Sequence, residues 1–329
     1  MGKVMLSYGS GGADSNDFIQ NFILPNIYAN TSLNGLNEDA AIIDESFSSV
    51  ISTDSFVLSP IFINGADIGK IAACGSINDV LMMGAKPLYI TLGLILEEGL
   101  CLNDLKTILN SFGDTLKQSG VKVICGDVKV VAKNKCDKIF INTTCIGKQR
   151  LKNIGLKYIR PNDVIVLSSD IGRHGACVMA KREGFELSIK TDAKSLHKEV
   201  DDLIHHKINI KTMRDATRGG LSAVLNEISN SICKKITIKE ECITTNDEVM
   251  GLCELLGYDS MELANEGTFI CIVDEKDADL TQQILQKYNK NAKIIGKITD
   301  ENTKKVILEN DFGSKICQMP RGELLPRIC

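Results

Sequence analysis

Residues 66–96 set the limits on what this chain can fold into. Ile68, Ile71, Ala72, Ile77, Val80 and Leu81 recur at helical spacing, which predicts a long helix over about 66–83. Gly84 and Pro87 form its stop. Leu88, Ile90, Leu92, Leu94 and Leu96 then alternate strictly, as one face of a strand does. A long apolar helix running straight into a long strand needs another layer to cover both. Asp79 falls inside that helix. Burying a carboxylate there without a partner costs several kcal/mol, so Asp79 calls for a partner or a ligand.

Around this unit, strands are expected at 40–43, 49–53, 121–125 and 139–146, and a helix over 102–118 that ends at Gly120. Between about 147 and 160 the chain turns basic and loses its period, with Pro161 behind it. That places a domain boundary near 150. The second half repeats the mixture, with strands expected at 164–167, 236–238, 268–273 and 304–308, and helices at 175–181, 220–229 and 247–256. Strands and helices interleave irregularly, so the fold class is α+β rather than a doubly wound sheet, with units 1–150 and 151–318. Residues 319–329 carry two prolines, one glycine and no period, and read as an extended, mobile tail.

The 329 residues suit about two domains. A net charge of -4 gives no electrostatic footprint for nucleic acid. No apolar run approaches the length of a membrane span, and the opening residues lack the apolar centre of a secretory signal. The twelve cysteines are scattered with no CxxC pair, which removes zinc ribbons and thioredoxin-type sites. They read as reduced core cysteines of a cytoplasmic protein, Cys329 excepted.

Several aspartates share a local setting. Asp39 stands at a strand start, Asp54 and Asp127 at strand ends, Asp79 in the helix, and Asp215 before Thr217-Arg218-Gly219-Gly220. Carboxylates so placed suit magnesium, which takes hard oxygen ligands, often with phosphate oxygens. Taken singly, each of them except Asp79 is better read as a turn or N-cap residue. The glycine runs around Gly11-Gly12 and Gly219-Gly220 offer backbone N–H groups for phosphate. No GxxxxGK[ST] is present, so this is not a P-loop. Lys129 interrupts an apolar strand, where a snorkelling edge lysine is the plain alternative. Glu266 precedes a strand and also suits a turn. His174 reads as a helix-start residue as readily as a catalytic one. Pro326-Arg327-Ile328-Cys329 closes the sequence with a thiol, where a core role is not expected. Arg327 beside it is expected to favour the thiolate.

These runs resemble the HypE family of hydrogenase maturation factors. The resemblance is carried by Ser52-Thr53-Asp54-Ser55-Phe56, Asn78-Asp79-Val80, Gly126-Asp127-Val128-Lys129, Asp215-Ala216-Thr217-Arg218-Gly219-Gly220, Ala264-Asn265-Glu266-Gly267 and the terminal Pro-Arg-Ile-Cys. It implies an N-terminal domain that builds a shared β-barrel in a homodimer, and a C-terminal α+β domain. It implies ATP-dependent dehydration of a carbamoyl group on Cys329 to a thiocyanate, the source of a cyanide ligand for nickel–iron hydrogenase. Asp39, Asp54, Asp79 and Asp215 map onto metal ligands for Mg²⁺. Gly11, Gly12, Asp54, Asp79, Gly126, Asp127, Thr217, Gly219 and Gly220 map onto the ATP site, and Cys329, Glu266 and Lys129 onto the chemistry. The implied partners are a HypF-type carbamoyl donor and a HypC–HypD-type iron scaffold. Two positions depart from the family: Val128 where threonine is common, and Arg173 where an acid is common. The competing readings are a small-molecule synthetase of the wider superfamily, which needs no terminal cysteine, and a non-catalytic thiol or metal chaperone, which leaves the aspartates unexplained.

Overall fold

The structure, a computed structural model, describes residues 12–18, 20–21, 40–42, 48–322 and 327–329. Gly11, Asp39 and Pro326 therefore lie outside the described residues.

A short helix α1 (Gly12–Phe18) precedes β1 (Ala41–Ile42), β2 (Ser49–Phe56), β3 (Phe62–Ile63) and β4 (Ala66–Asp67). The long helix α2 runs Ile68–Met82. Asp67 caps it, its Oδ1 accepting from the amides of Gly69 and Lys70 at 2.8 and 3.0 Å. Gly84, at φ 63°, ends it by donating to the Leu81 carbonyl. Within α2 every residue but Lys70 and Asp79 is buried, so it is a core rod rather than an amphipathic surface helix.

β5 (Ala85–Glu97), α3 (Leu102–Ser119), β6 (Lys122–Val131) and β7 (Ile139–Gln149) follow. The first sheet has the order β1-β2-β7-β5-β6, with only β5 and β6 parallel. In β5 the even positions Ile90 and Leu94 turn into the core, as the period predicts, while Tyr89 and Ile95 face out. β6 is longer than the expected 121–125, which puts Asp127 in mid-strand rather than at a strand end.

The second half holds β8 (Val164–Leu167), α4 (Arg173–Glu183), α5 (His197–His205), β9 (Ile210–Asp215), α6 (Gly220–Ile232), β10 (Ile236–Lys239), α7 (Asp247–Leu256), β11 (Phe269–Val273), α8 (Ala278–Gln286), β12 (Lys293–Ile298), β13 (Val306–Asn310) and β14 (Gly313–Cys317). Its sheet runs β14-β13-β10-β12-β8-β11-β9, with β10–β13 the one parallel pair. Both sheets are mostly antiparallel, which is the α+β class. One core joins α2 and the first sheet to one face of the second, through Met213 and Phe269 among others. A separate core lies under α6, built on Leu221, Leu225 and Ile228. The strands β9, β12 and β14 and the helices α5 and α8 were not anticipated.

The end of the chain differs most from expectation. Arg327–Cys329 is not loose: Val57 N donates to Cys329 O at 2.8 Å and Ser59 N to Arg327 O at 3.1 Å. Ile328 and Cys329 belong to the main core, contrary to the expected absence of a core role.

Candidate active site

A cleft of about 270 Å³ opens between the two sheets. β2 brings Ser52 and Asp54 to it, α2 brings Gly75 and Asp79, and β9 ends there in Asp215. Thr217 and Arg218 come from the turn before α6, Glu266 from the loop before β11, and Cys329 from the tail. Six expected site residues thus meet: Asp54, Asp79, Asp215, Thr217, Glu266 and Cys329. The partner that Asp79 requires is Ser52, whose hydroxyl donates to Asp79 Oδ2.

The cleft concentrates negative charge. Burial and the facing Asp54 push Asp215 up to about 6. Burial foremost, then Asp215, Asp192 and Asp54, raises Glu266 well above the ordinary carboxylate value. Arg218 faces this set, and its protonated form is favoured by Cys329 first and also by Asp54, Glu266 and Asp79. Arg218 lines the cleft beside these acids. A carboxylate set that repels itself is suited to an added cation. Among the described residues no three His, Cys, Asp or Glu stand close enough to hold a metal unaided. Magnesium there needs further oxygens, and a polyphosphate supplies them.

Glu266 is fixed through its backbone. Its amide donates to both oxygens of Asp192 at 3.1 and 3.2 Å, and Gly267 N and Thr268 Oγ1 donate to the same carboxylate. Asn78 Nδ2 reaches the carbonyls of Lys194 and Glu266, while its Oδ1 accepts from Leu196 N. Neither Asp192 nor Asn78 was singled out from sequence, although Asn78 adjoins Asp79. Arg218 lay inside the quoted Asp215–Gly220 run, and with Arg214 it brings positive charge to the acids of the cleft.

The two glycine runs meet beside the N-terminus of α6. A Cβ at Gly219 would lie 3.6 Å from Gly12 N, and one at Gly220 would strike Met261 O at 2.5 Å. Both adopt positive φ, so only glycine fits. The two runs thus pack closely against each other at a helix start, the kind of place where backbone N–H groups can hold phosphate.

Gly126, Asp127 and Lys129 are not at this cleft. They lie on β6, where Lys129 pairs with Asp127 and both are exposed. Sheet order puts β6 three strand spacings from β2, roughly 14 Å. Val128 is exposed on the same strand, and Arg173 binds Asp170 at 2.5 Å instead of entering the cleft.

The thiol also corrects an expectation. Arg327 turns away from it, donating to Asp137 Oδ2 at 2.7 Å and Val57 O at 3.0 Å. Burial pushes Cys329 up to about 12, with Arg218 opposing and Glu266, Asp54 and Asp215 adding to the rise. In this pose the group is a thiol, not a thiolate.

Residues 37–149 match the N-terminal domain of the AIR synthase related proteins and residues 160–309 match their C-terminal domain. The carbamoyl dehydratase HypE of Rhizobium leguminosarum bv. viciae is 37% identical over 336 residues, covering 100% of this chain and 95% of that protein. The crystal structure of the hydrogenase maturation protein HypE in complex with ATP superposes with a TM-score of 0.83 at 35% identity, over 99% of this chain and 100% of that one. The crystal structure of a HypE–HypF complex gives a TM-score of 0.84 at 37% identity, over 91% of this chain and 100% of that one. With identity at this level over its full length, the chain belongs to the HypE family of carbamoyl dehydratases.

Proposed function

We propose that this protein uses ATP to dehydrate a carbamoyl group on its own Cys329, giving a thiocyanate from which a nickel–iron hydrogenase centre obtains cyanide. The observation that carries this reading is the seating of Cys329 in the same cleft as Asp54, Asp79, Asp215 and Glu266. A thiol has no use at a plain phosphate site, and a thiol chaperone has no use for the carboxylates.

Bound Mg–ATP supplies a phosphoryl group that turns the carbonyl oxygen of the thiocarbamate into a leaving group. Asp54, Asp79 and Asp215 would hold a magnesium ion together with phosphate oxygens, with Asp39 as a further ligand. Thr217, Gly219, Gly220, Gly11 and Gly12 cradle the phosphates. Arg218 faces the reacting sulfur substituent and offsets charge that develops on its oxygen. Glu266 takes the nitrogen-bound proton as the C–O bond breaks. Its raised affinity for a proton suits a group that must keep the proton it takes.

The buried thiol is a poor nucleophile, since the thiolate is the reactive form. Loading from a HypF-type donor therefore takes place with the tail outside, where the ordinary cysteine value returns. The inward pose serves dehydration, and a HypC–HypD-type scaffold collects the product after the tail leaves again. The working unit is a homodimer whose first sheets form a shared barrel, and Gly126, Asp127 and Lys129 act from that interface.

Intact mass tests the proposal. Carbamoylated protein should lose the mass of one water on addition of Mg–ATP, and Cys329→Ala should take up no carbamoyl group although eleven other cysteines remain. Carbamoylation of the alanine variant, or no water loss in the wild type, overturns it. Glu266→Gln separates the steps: ATP is still consumed while thiocyanate fails to appear. A normal thiocyanate yield from that variant removes Glu266 as the base.

A further inference from the structure

We infer that His174 and Arg182 are positioning residues that latch the tail inward by gripping its backbone carbonyls. This deepens the proposed function, on which its catalytic consequence rests, but the latch itself is a matter of contacts alone.

Residues 327–329 run antiparallel to residues 57–59. Cys329 O and Arg327 O accept from Val57 N and Ser59 N on one side. Ile328 O points the other way and meets His174 Nε2 at 2.7 Å. Arg182 spans both segments, with Nε on Ser59 O and Nη2 on Arg327 O, each at 2.7 Å. Every carbonyl of the three described tail residues is thus bound by a donor from elsewhere in the chain. The recognition is of main chain, as in strand addition, with Ile328 filling the core.

The tautomer of His174 follows from its partners. Ile328 O only accepts, so Nε2 carries the proton, and Nδ1 then accepts from Thr191 Oγ1 at 2.9 Å. The ring is fully buried, which disfavours its charged form and keeps it in this single-donor state. Thr191 is followed directly by Asp192, the carboxylate that clamps the Glu266 loop. One short segment therefore sets both the ring that holds the tail and the loop that holds the base. Neither His174 nor Arg182 lines the cleft, so neither touches the reacting atoms.

The test is alkylation of Cys329 in full-length, unloaded protein by iodoacetamide, mapped by peptide mass. Exposed Cys101 and Cys233 serve as internal rate standards, and buried Cys145 and Cys271 as fold controls. His174→Met and Arg182→Met should each raise the Cys329 rate roughly tenfold, the effect of losing one good hydrogen bond. His174→Gln, which restores a donor near the Nε2 position, should stay within about twofold of the wild type. The wild type gives a check that needs no variant: the amides of Val57 and Ser59 should exchange hydrogen slowly. An unchanged Cys329 rate in both methionine variants with the fold controls intact, or fast exchange at both amides, overturns the latch. In carbamoylated protein the same variants should slow water loss without slowing loading. If alkylation responds as stated while even the wild type loses no water, the latch stands and the proposed chemistry fails.

Discussion

Asp215 titrates high because burial and the charge of Asp54 both oppose its ionisation. The unfolded chain releases the same proton near the ordinary carboxylate value of about 4. Between that value and about 6 the folded chain holds more protons. Stability is therefore lost as pH rises through this window and regained on acidification. Asp215→Asn removes the charge at nearly constant shape. Its melting temperature at pH 7.5 should exceed the wild type's by roughly 3 °C, with the gap closing near pH 4, while Mg-dependent ATP hydrolysis collapses. A variant no more stable at pH 7.5 than the wild type would mean that Asp215 is already neutral or well compensated. At this scale the sequence named the acids and the thiol, because each sits in a run that stands out from its neighbours. It could not reveal Asp192 or His174, whose roles rest on contacts across 74 and 154 positions of chain. It also misjudged Arg327, since adjacency in sequence says nothing about which way a side chain turns.

The helix α2 holds the cleft open from below, and two glycines set how closely it packs. A Cβ at Gly69 would stand 2.1 Å from the Ile108 carbonyl of α3, well away from the cleft. One at Gly75 would stand 2.7 Å from Phe56 Cζ and 3.5 Å from Asp54 Oδ2. Both substitutions to alanine should cost about 1–3 kcal/mol through overpacking, seen as lower melting temperatures. They should differ in function. Gly69→Ala moves α3 and leaves ATP turnover per folded molecule near the wild type's. Gly75→Ala pushes Phe56 and β2, shifts Asp54, and should raise the KM for Mg–ATP several-fold. Equal kinetics in the two variants would show that α2 does not set the position of Asp54. α2 and β5 were legible because apolar residues recur at helical spacing from Ile68 to Leu81 and then alternate over 88–96. β9 was not: its Ile-Lys-Thr-Met-Arg-Asp carries charges beside buried Ile210, Thr212 and Met213, and the partners that make it a strand lie in β11. The docked tail escaped for a related reason. Its order comes from donors on residues 57–59 and on α4, not from any period of its own.

At the scale of the whole molecule, β6 lacks a neighbouring strand on one side among the described residues. It closes one edge of the first sheet, and Val123, Ile124, Val128 and Val130 on it are between 49% and 68% exposed. A long apolar edge strand in water invites pairing, and a second copy is the partner that the family resemblance implies. The same geometry bears on Lys129. Lys129 does not line the cleft that holds Glu266 in its own chain, so a role in the chemistry would come across the interface. A mixed dimer distinguishes these cases. One chain carries Lys129→Met with Cys329 intact, and the other carries Cys329→Ser with Lys129 intact, each with its own affinity tag. If Lys129 serves the partner's cleft, the cleft holding Cys329 receives an intact lysine from the other chain. The hybrid should then recover about half the thiocyanate yield of the wild-type dimer, one cleft in two, although each parent homodimer is inactive. If Lys129 served its own cleft, neither cleft of the hybrid would be complete and no yield would return. Full activity of the Lys129→Met homodimer would remove the residue from the chemistry and leave β6 as an interface strand only.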